Sequence, residues 1–311
     1  MSFLILKFKN FHLILLFNFF IKMIRILRKT FTMKTVPQVD LTSFVKEQNK
    51  ENCQKVAESF HKFGALAIKD PRVSFEKNEK FLDLMENYFE DRAQKLANNQ
   101  QIEDIFPQHG YNVGLTPTHK EKARTQPDFI QKLHKEDLPY TPQPPPFDHK
   151  YRFMYPLYER SQSEIDGDKY IPSDFPNFKE IMDDWSSLMM QAVNTVAQMA
   201  AIGFDIEQDF FKNKLKGGAH ILAPTGSDLV RNKEGDVFAG LHYDFNFLTI
   251  HGKSRFPGLF IWLSDGTKIP VKIPDGYLLL QSGKQFEIFT GGYVQCGMHE
   301  VIYTPEVTKK V

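Results

Sequence analysis

The region after Gly203 constrains the fold most, because short apolar segments there alternate with turn pairs that contain glycine. Asp-Gly and Gly-Gly pairs are favoured in tight hairpins, since they tolerate positive φ. Short strands at regular spacing are typical of a sandwich or a small barrel. We therefore predict a β-rich region here, whose strand-like segments are GLFIWLS before Asp265-Gly266, KIPV before Asp275-Gly276, YLLLQ before Ser282-Gly283, QFEIFT before Gly291-Gly292, and finally VQCGMHEVIYT.

Before Gly203 the apolar residues recur at helical spacing. A helix is predicted from Asn52 to a stop at Gly64, followed by the strand-like ALAIKD and a second helix from Phe75 to Ala97. The longest signal runs from Phe178 to Ile202 and keeps a period of about 3.6 residues. A helix of this length can pack along a whole sheet.

The predicted ends of the longest helix rest on two residues. Asp174 is a candidate N-cap, and Gly203 is a candidate C-cap.

Between the second and the longest helix, residues 100–150 are rich in Pro, Gly, His and Lys and end in PYTPQPPPFDHK, which predicts an extended connector. We divide the chain into residues 1–32, a mixed α/β region at 33–150, and a region at 151–311 with the long helix and the strands.

Residues 1–32 differ from the rest in composition, because they contain no acidic residue and are rich in Phe, Leu, Ile, Lys and Arg. Three interpretations compete: a targeting segment, a weak membrane anchor, or a stretch upstream of a start at Met33. The apolar run from Phe11 to Ile21 is short for a membrane span, so no stable span is predicted. We favour the extension and expect these residues to pack against nothing in the domain. The expected location is cytoplasmic, with a mitochondrial or membrane-associated protein as the alternative.

Overall charge and cysteine content exclude several classes of protein. The net charge of +1, from 39 basic and 38 acidic residues, gives no basic excess for binding nucleic acid. The cysteines, Cys53 and Cys296, are too few for a disulfide framework and fit a reducing compartment. Cys296 is interpreted as a small buried hydrophobic residue in a strand.

The segment GLHYDFNFLTI places a histidine and an aspartate two positions apart inside an apolar strand-like stretch. Side chains alternate along a strand, so His242 and Asp244 project to one face. A further histidine, His299, lies 57 residues later in the strand-like CGMHEVIY. Two imidazoles and one carboxylate can hold Fe(II) on one face of an octahedron and leave three positions open. A hydrogen-bonded pair without metal is the simpler alternative. We interpret His251 as an exposed residue after a strand.

The same segments resemble the 2-oxoglutarate- and Fe(II)-dependent dioxygenases of the isopenicillin-N-synthase-like branch. VPQVDLTSF and FHKFGALAIKD are similar to the N-terminal region of that family, and the segments from GLHYDFNFLTI to CGMHEV are similar to its core. The resemblance implies an α+β, mainly β fold, with a double-stranded β-helix (jelly-roll) core, an N-terminal mixed α/β region and a long backing helix. It also implies that His242, Asp244 and His299 are metal ligands.

Three departures from the family pattern concern the binding of 2-oxoglutarate. Ile221 and Leu222 stand where the family has Asn and Tyr, and Glu300 stands where Arg follows the second histidine. The family's Arg-x-Ser clamp has no counterpart in the residues after His299, where Lys309 and Lys310 are the only basic candidates. A lysine is a point charge and cannot form the bidentate pair of an arginine. We therefore expect weakened binding of 2-oxoglutarate and a core that lacks its C-terminal strand.

The resemblance implies an oxidoreductase in which Fe(II) couples O₂ and the decarboxylation of 2-oxoglutarate to the oxidation of a small organic substrate. Two alternatives stay open. One is a non-catalytic jelly-roll scaffold or decayed enzyme, because a fold does not by itself define a function. The other is a non-haem iron oxidase of the same fold that does not use 2-oxoglutarate.

Overall fold

The structure is a computed structural model that describes residues 35–157 and 169–308. The predictions for residues 1–32 and for Lys309 and Lys310 lie outside the described residues. From Val36 onward the described residues belong to one compact unit. The division at residue 150 stays a prediction, and the strand Lys150–Pro156 runs across that position.

The described residues form twelve strands and eight α-helices in a mixed order. In chain order the strands are β1 (Gln38–Asp40), β2 (Ala65–Lys69), β3 (Gly114–Thr116), β4 (Lys150–Pro156), β5 (Ile221–Leu222), β6 (Thr225–Ser227), β7 (Val237–His242), β8 (Leu248–His251), β9 (Leu259–Trp262), β10 (Lys268–Pro270), β11 (Leu278–Ser282) and β12 (Met298–Ile302). The helices are α1 (Thr42–Glu47), α2 (Cys53–Phe63), α3 (Phe75–Ala97), α4 (Pro127–Ile130), α5 (Phe178–Gly203), α6 (Phe210–Leu215), α7 (Lys284–Phe289) and α8 (Pro305–Thr308).

Two four-stranded sheets form the β core, in the orders β1-β2-β11-β8 and β10-β9-β12-β7. Apart from the parallel pair β1·β2, their strands pair antiparallel. Strands β7, β8 and β9 alternate between the sheets, and so do β10, β11 and β12, which is the arrangement of a jelly roll. This confirms the predicted fold class, and among the described residues the sheets do not close into a barrel. A third sheet has the order β3-β4-β5, with β6 also paired to β4.

Helix α5 packs along the sheet that contains β2 and β11. Its buried stripe shares one hydrophobic core with Leu66, Ile68, Leu278 and Leu280, which face it from the two strands. The opposite faces of these strands contact the second sheet through a smaller cluster that includes Ala67 and Leu279. The long helix therefore backs the sheet as predicted.

Both predicted caps of α5 were wrong. Asn177 is the N-cap residue, whereas the Asp174 carboxylate accepts two hydrogen bonds from the Arg92 guanidinium, at 2.7 and 2.8 Å. Gly203 is the last helical residue, and Phe204 is the C-cap. The glycine is required by packing, because a Cβ at Gly203 would lie 2.3 Å from the carbonyl oxygen of Cys53.

The segment QFEIFT was also predicted wrongly, because it belongs to helix α7 and forms no strand. Its alternating apolar residues suggested a strand, but Ile288 is 70% exposed while Phe286 is fully buried. Phe286 stacks on Phe247 at a centroid distance of 4.4 Å. Cys296, predicted in a strand, lies in the loop before β12 and is partly exposed.

None of the helices in the described residues is long and apolar enough to cross a membrane.

Candidate metal centre

His242 and His299 lie opposite each other in the antiparallel pair β7·β12. The centroids of the two imidazole rings are 4.1 Å apart, with the ring planes tilted by 50°. The strand order β9-β12-β7 creates this contact, because it places β12 directly beside β7. The structure thus brings together two histidines that the sequence separates.

Asp244 completes the group from two residues beyond His242, just past the end of β7. Its Oδ1 lies 3.8 Å from Nε2 of His242. One possible ligand atom from each of His242, Asp244 and His299 lies within 4.8 Å of the other two. We call these three residues the ligand cluster. Two nitrogen donors and one oxygen donor at this separation fit the donor set of a non-haem Fe(II) site.

Both histidines are oriented by backbone carbonyl groups two residues earlier in the chain. His242 Nδ1 lies 2.6 Å from the Gly240 carbonyl oxygen, and His299 Nδ1 lies 3.2 Å from that of Gly297. A carbonyl oxygen can only accept, so each Nδ1 carries the hydrogen and each Nε2 presents its lone pair. Among the described residues neither Nε2 makes a hydrogen bond, which leaves both atoms available to a metal ion.

The carboxylate of Asp244 is also held by an outer partner. The Thr249 hydroxyl on β8 donates a short hydrogen bond to Oδ2, so Oδ1 is the oxygen that faces His242. Partners of this kind fix the orientation of metal ligands and raise the affinity for the metal. Because Thr249 is on the first sheet, the two sheets jointly position the ligand cluster.

The electrostatics keep all three groups in the protonation state that binds a metal. Burial lowers the pKa of His242, and burial together with His242 lowers the pKa of His299 to about 4. Burial alone would raise the pKa of Asp244, but the two imidazoles and the Thr249 hydroxyl hold it at about 2. Near pH 7 the cluster is therefore two neutral imidazoles and a carboxylate.

His251, interpreted as exposed after a strand, instead ends β8 beside the ligand cluster. Its ring centroid lies 6.3 Å from that of His299, and its Nε2 lies 3.1 Å from Oε1 of the buried Gln281. Burial and then His299 lower its pKa to about 4. Strand alternation in LTIH puts Thr249 and His251 on one face, and this signal could have identified both residues.

The connector before β4 covers the outer side of the ligand-bearing sheet through Glu300. This carboxylate is fully buried and accepts hydrogen bonds from the backbone N–H groups of Tyr140 (2.8 Å) and Thr141 (2.9 Å) and from the Thr141 hydroxyl (2.6 Å). The Thr141 hydroxyl in turn accepts the N–H of Leu241, at 3.0 Å. From the sequence, Glu300 was identified only as a departure from the family pattern, and its buried contacts were not predicted.

The residues expected to affect 2-oxoglutarate binding are only partly within the described chain. Ile221 and Leu222 form β5, which pairs with Tyr155 and Pro156 of β4. After β12 the described residues continue into α8, and Lys309 and Lys310 lie beyond them. The assignment of these lysines stays a prediction.

Solved structures show which known proteins share the fold of this chain. No protein-family model and no curated protein matches the chain. A Caulobacter crescentus protein assigned to the 2OG-Fe(II) oxygenase family superposes with a TM-score of 0.68 at 19% identity, over 89% of this chain and 83% of that one. A full-length Neurospora crassa protein, solved in complex with alpha-KG, superposes with a TM-score of 0.66 at 18% identity, over 87% of this chain and 79% of that one. The 2-oxoglutarate complex of AtDAO1, the dioxygenase for auxin oxidation 1 from Arabidopsis thaliana, gives 0.51 at 16% identity over 88% of each chain.

The chain therefore has the fold of the 2-oxoglutarate- and Fe(II)-dependent oxygenases, which confirms the predicted superfamily fold. At these identities the likeness establishes the fold alone. The isopenicillin-N-synthase-like branch stays a prediction.

Proposed function

We propose that this chain is a non-haem Fe(II) dioxygenase that couples the oxidative decarboxylation of 2-oxoglutarate to the oxidation of a small organic substrate. The observation that carries the proposal is the ligand cluster, in which three donor atoms converge within 4.8 Å. Both imidazoles are fixed with their Nε2 lone pairs free. The solved complexes of proteins with this fold, which contain alpha-KG, 2OG, Fe or thymine, support the choice of cosubstrate and of a small substrate.

In this mechanism the protein positions the groups that would bind the metal. His242, Asp244 and His299 would hold the metal on one face, and bound Fe(II) would supply the redox chemistry with O₂. The Thr249 hydroxyl keeps one oxygen of Asp244 engaged, so the other oxygen would be the one to hold the metal. The neutral imidazoles require no proton release near pH 7 when the metal binds.

An anaerobic titration tests the proposal. Fe(II) should bind with a stoichiometry of one, and added 2-oxoglutarate should produce a metal-to-ligand charge-transfer absorption. Absence of iron binding would favour the non-catalytic scaffold. Iron binding without the absorption band would favour an iron oxidase that does not use 2-oxoglutarate.

A further inference from the structure

Two basic side chains on β4 lie beside the ligand cluster and are not explained by it. Lys150 and Arg152 are two positions apart and share one face of the strand, whereas Tyr151 and Phe153 belong to the main hydrophobic core. The side chain of Lys150 is 11% exposed and that of Arg152 is 32% exposed. We call Lys150 and Arg152 the basic pair.

A short hydrogen-bonded path connects the basic pair to the ligand cluster. Asp148, two residues before Lys150, accepts a hydrogen bond at 3.0 Å from the N–H of Gly240, which lies two residues before His242. Lys150 pairs with Asp148, and Nδ1 of His242 donates to the carbonyl oxygen of the same Gly240. Polar contacts therefore lead from the basic pair to a residue of the ligand cluster.

A single carboxylate, that of Glu121, bridges the basic pair. One of its oxygens pairs with Nη2 of Arg152, and the other lies 3.0 Å from Nζ of Lys150. Lys150 also pairs with Asp148. The two basic and two acidic groups cancel in charge, so an anion that replaced Glu121 would preserve neutrality in a partly buried site, where unbalanced charge is costly.

The basic pair has more hydrogen-bond donors than the Glu121 carboxylate accepts. Nε of Arg152 is buried and makes no hydrogen bond to any described group. A guanidinium usually binds a carboxylate through two parallel N–H groups, but here Glu121 divides its oxygens between two bases. A carboxylate placed on the Nε–Nη2 edge of Arg152 would satisfy the donor that the protein leaves unpaired.

We propose that Lys150 and Arg152 form a carboxylate-binding subsite beside the ligand cluster, and that Glu121 occupies this subsite until a ligand carboxylate displaces it. The inference rests on the proposed function for the identity of its neighbour, the metal. The carboxylate has two possible sources, which are the distal carboxylate of 2-oxoglutarate and a carboxylate of the substrate.

The subsite can be tested without metal by titrating glutarate into the metal-free protein in a calorimeter. Arg152→Gln and Lys150→Met should raise the dissociation constant about 10- to 100-fold, because hydrogen bonds to charged groups are lost. Glu121→Gln should lower it, because the competing charge is removed. Arg72→Gln is the matched control, since Arg72 also pairs with a carboxylate, that of Asp70, and has 27% side-chain exposure. Arg152→Lys keeps the charge and controls for failure to fold.

Two further titrations distinguish the sources of the carboxylate in the Fe(II)-loaded protein without oxygen. If the subsite holds the cosubstrate, Arg152→Gln should weaken the binding of 2-oxoglutarate. The binding of 2-oxopentanoate, which lacks the distal carboxylate, should not change. If it holds the substrate, both keto acids should bind normally. Benzoate added to the 2-oxoglutarate complex should then perturb the absorption band in the parent and not in Arg152→Gln.

The proposal is overturned if folded Arg152→Gln and Lys150→Met bind glutarate and 2-oxoglutarate like the parent and show no altered response to benzoate. A parent protein that gives no absorption band with either keto acid contradicts the proposed function instead. The glutarate titration then judges the subsite independently.

Discussion

His299 and Glu300 are neighbours on β12, and both are buried and polar. They project to opposite faces of one sheet, and their polar atoms differ in their hydrogen-bond partners. Every oxygen of Glu300 is hydrogen-bonded to the connector. His299 uses Nδ1 on a backbone carbonyl and leaves Nε2 facing His242 and Asp244. The Nε2 lone pair of a neutral imidazole can bind a metal ion, whereas both Glu300 oxygens are already engaged by hydrogen bonds.

Hydrogen-bond satisfaction thus separates a structural polar residue from a proposed metal ligand on the same strand. Glu300 stabilises the connector, whereas His299 presents a lone pair to a site.

Replacing His299 by alanine should abolish stoichiometric Fe(II) binding while the fold persists. One of three donors is lost, so we expect the affinity to fall by more than the 10- to 100-fold that loss of an outer partner costs. Anaerobic iron titration measures the effect. His220→Ala is the matched control, because that imidazole contacts the Leu215 carbonyl oxygen and lies outside the cluster. Equal iron binding by His299→Ala and the parent would contradict the site.

Replacing Glu300 by alanine should have the converse effect and lower the free energy of unfolding by about 1–3 kcal/mol for each buried donor left without its acceptor. The loss leaves the buried N–H and hydroxyl of Thr141, and the partly buried N–H of Tyr140, without their charged acceptor. Chemical denaturation measures it. The exposed Glu58→Gln, which loses only a surface pair with Lys62, should leave the midpoint unchanged. A Glu300→Ala protein as stable as the parent would show that the connector is held by other contacts.

Replacing Thr249 by valine should weaken Fe(II) binding by about 10- to 100-fold without abolishing it. The change keeps the shape of the side chain and removes the hydroxyl that orients Asp244. Thr249→Ser should restore much of the affinity. Thr195→Val, whose hydroxyl donates to a carbonyl oxygen within α5, should bind iron like the parent. If Thr249→Val kept full affinity, Asp244 would need no outer partner.

The stability of the metal-free protein should fall as the pH is lowered from about 6.5 toward 4. His299 is neutral when folded because burial and then His242 lower its pKa to about 4, while the unfolded residue has its ordinary value near 6.5. Between these values the unfolded chain binds more protons, so stability rises with pH by at most about 1.4 kcal/mol per pH unit for this residue. His299→Gln should flatten the dependence of stability on pH, measured by chemical denaturation in the presence of a metal chelator. Parallel profiles for the two proteins would contradict a neutral, buried His299.

The sequence by itself determined the elements whose signals are local. Helix α3 has the predicted bounds, and α2 ends before Gly64, whose φ of 62° suits glycine. Strand alternation predicted one shared face for His242 and Asp244. In the structure only His242 is in β7, and Asp244 lies just past its end. Helix α7 departs from its prediction because the packing of Phe286 against Phe247 decided the local structure.

Only the tertiary structure decided which distant residues meet. The register that pairs His299 with His242 depends on strand order, and the sequence records no strand order. The same holds for His251 beside His299, for Glu300 beneath the connector and for Arg152 beside Glu121. Each of these contacts joins residues from separate elements, and the free energy that fixes them comes from burial and pairing across the whole core.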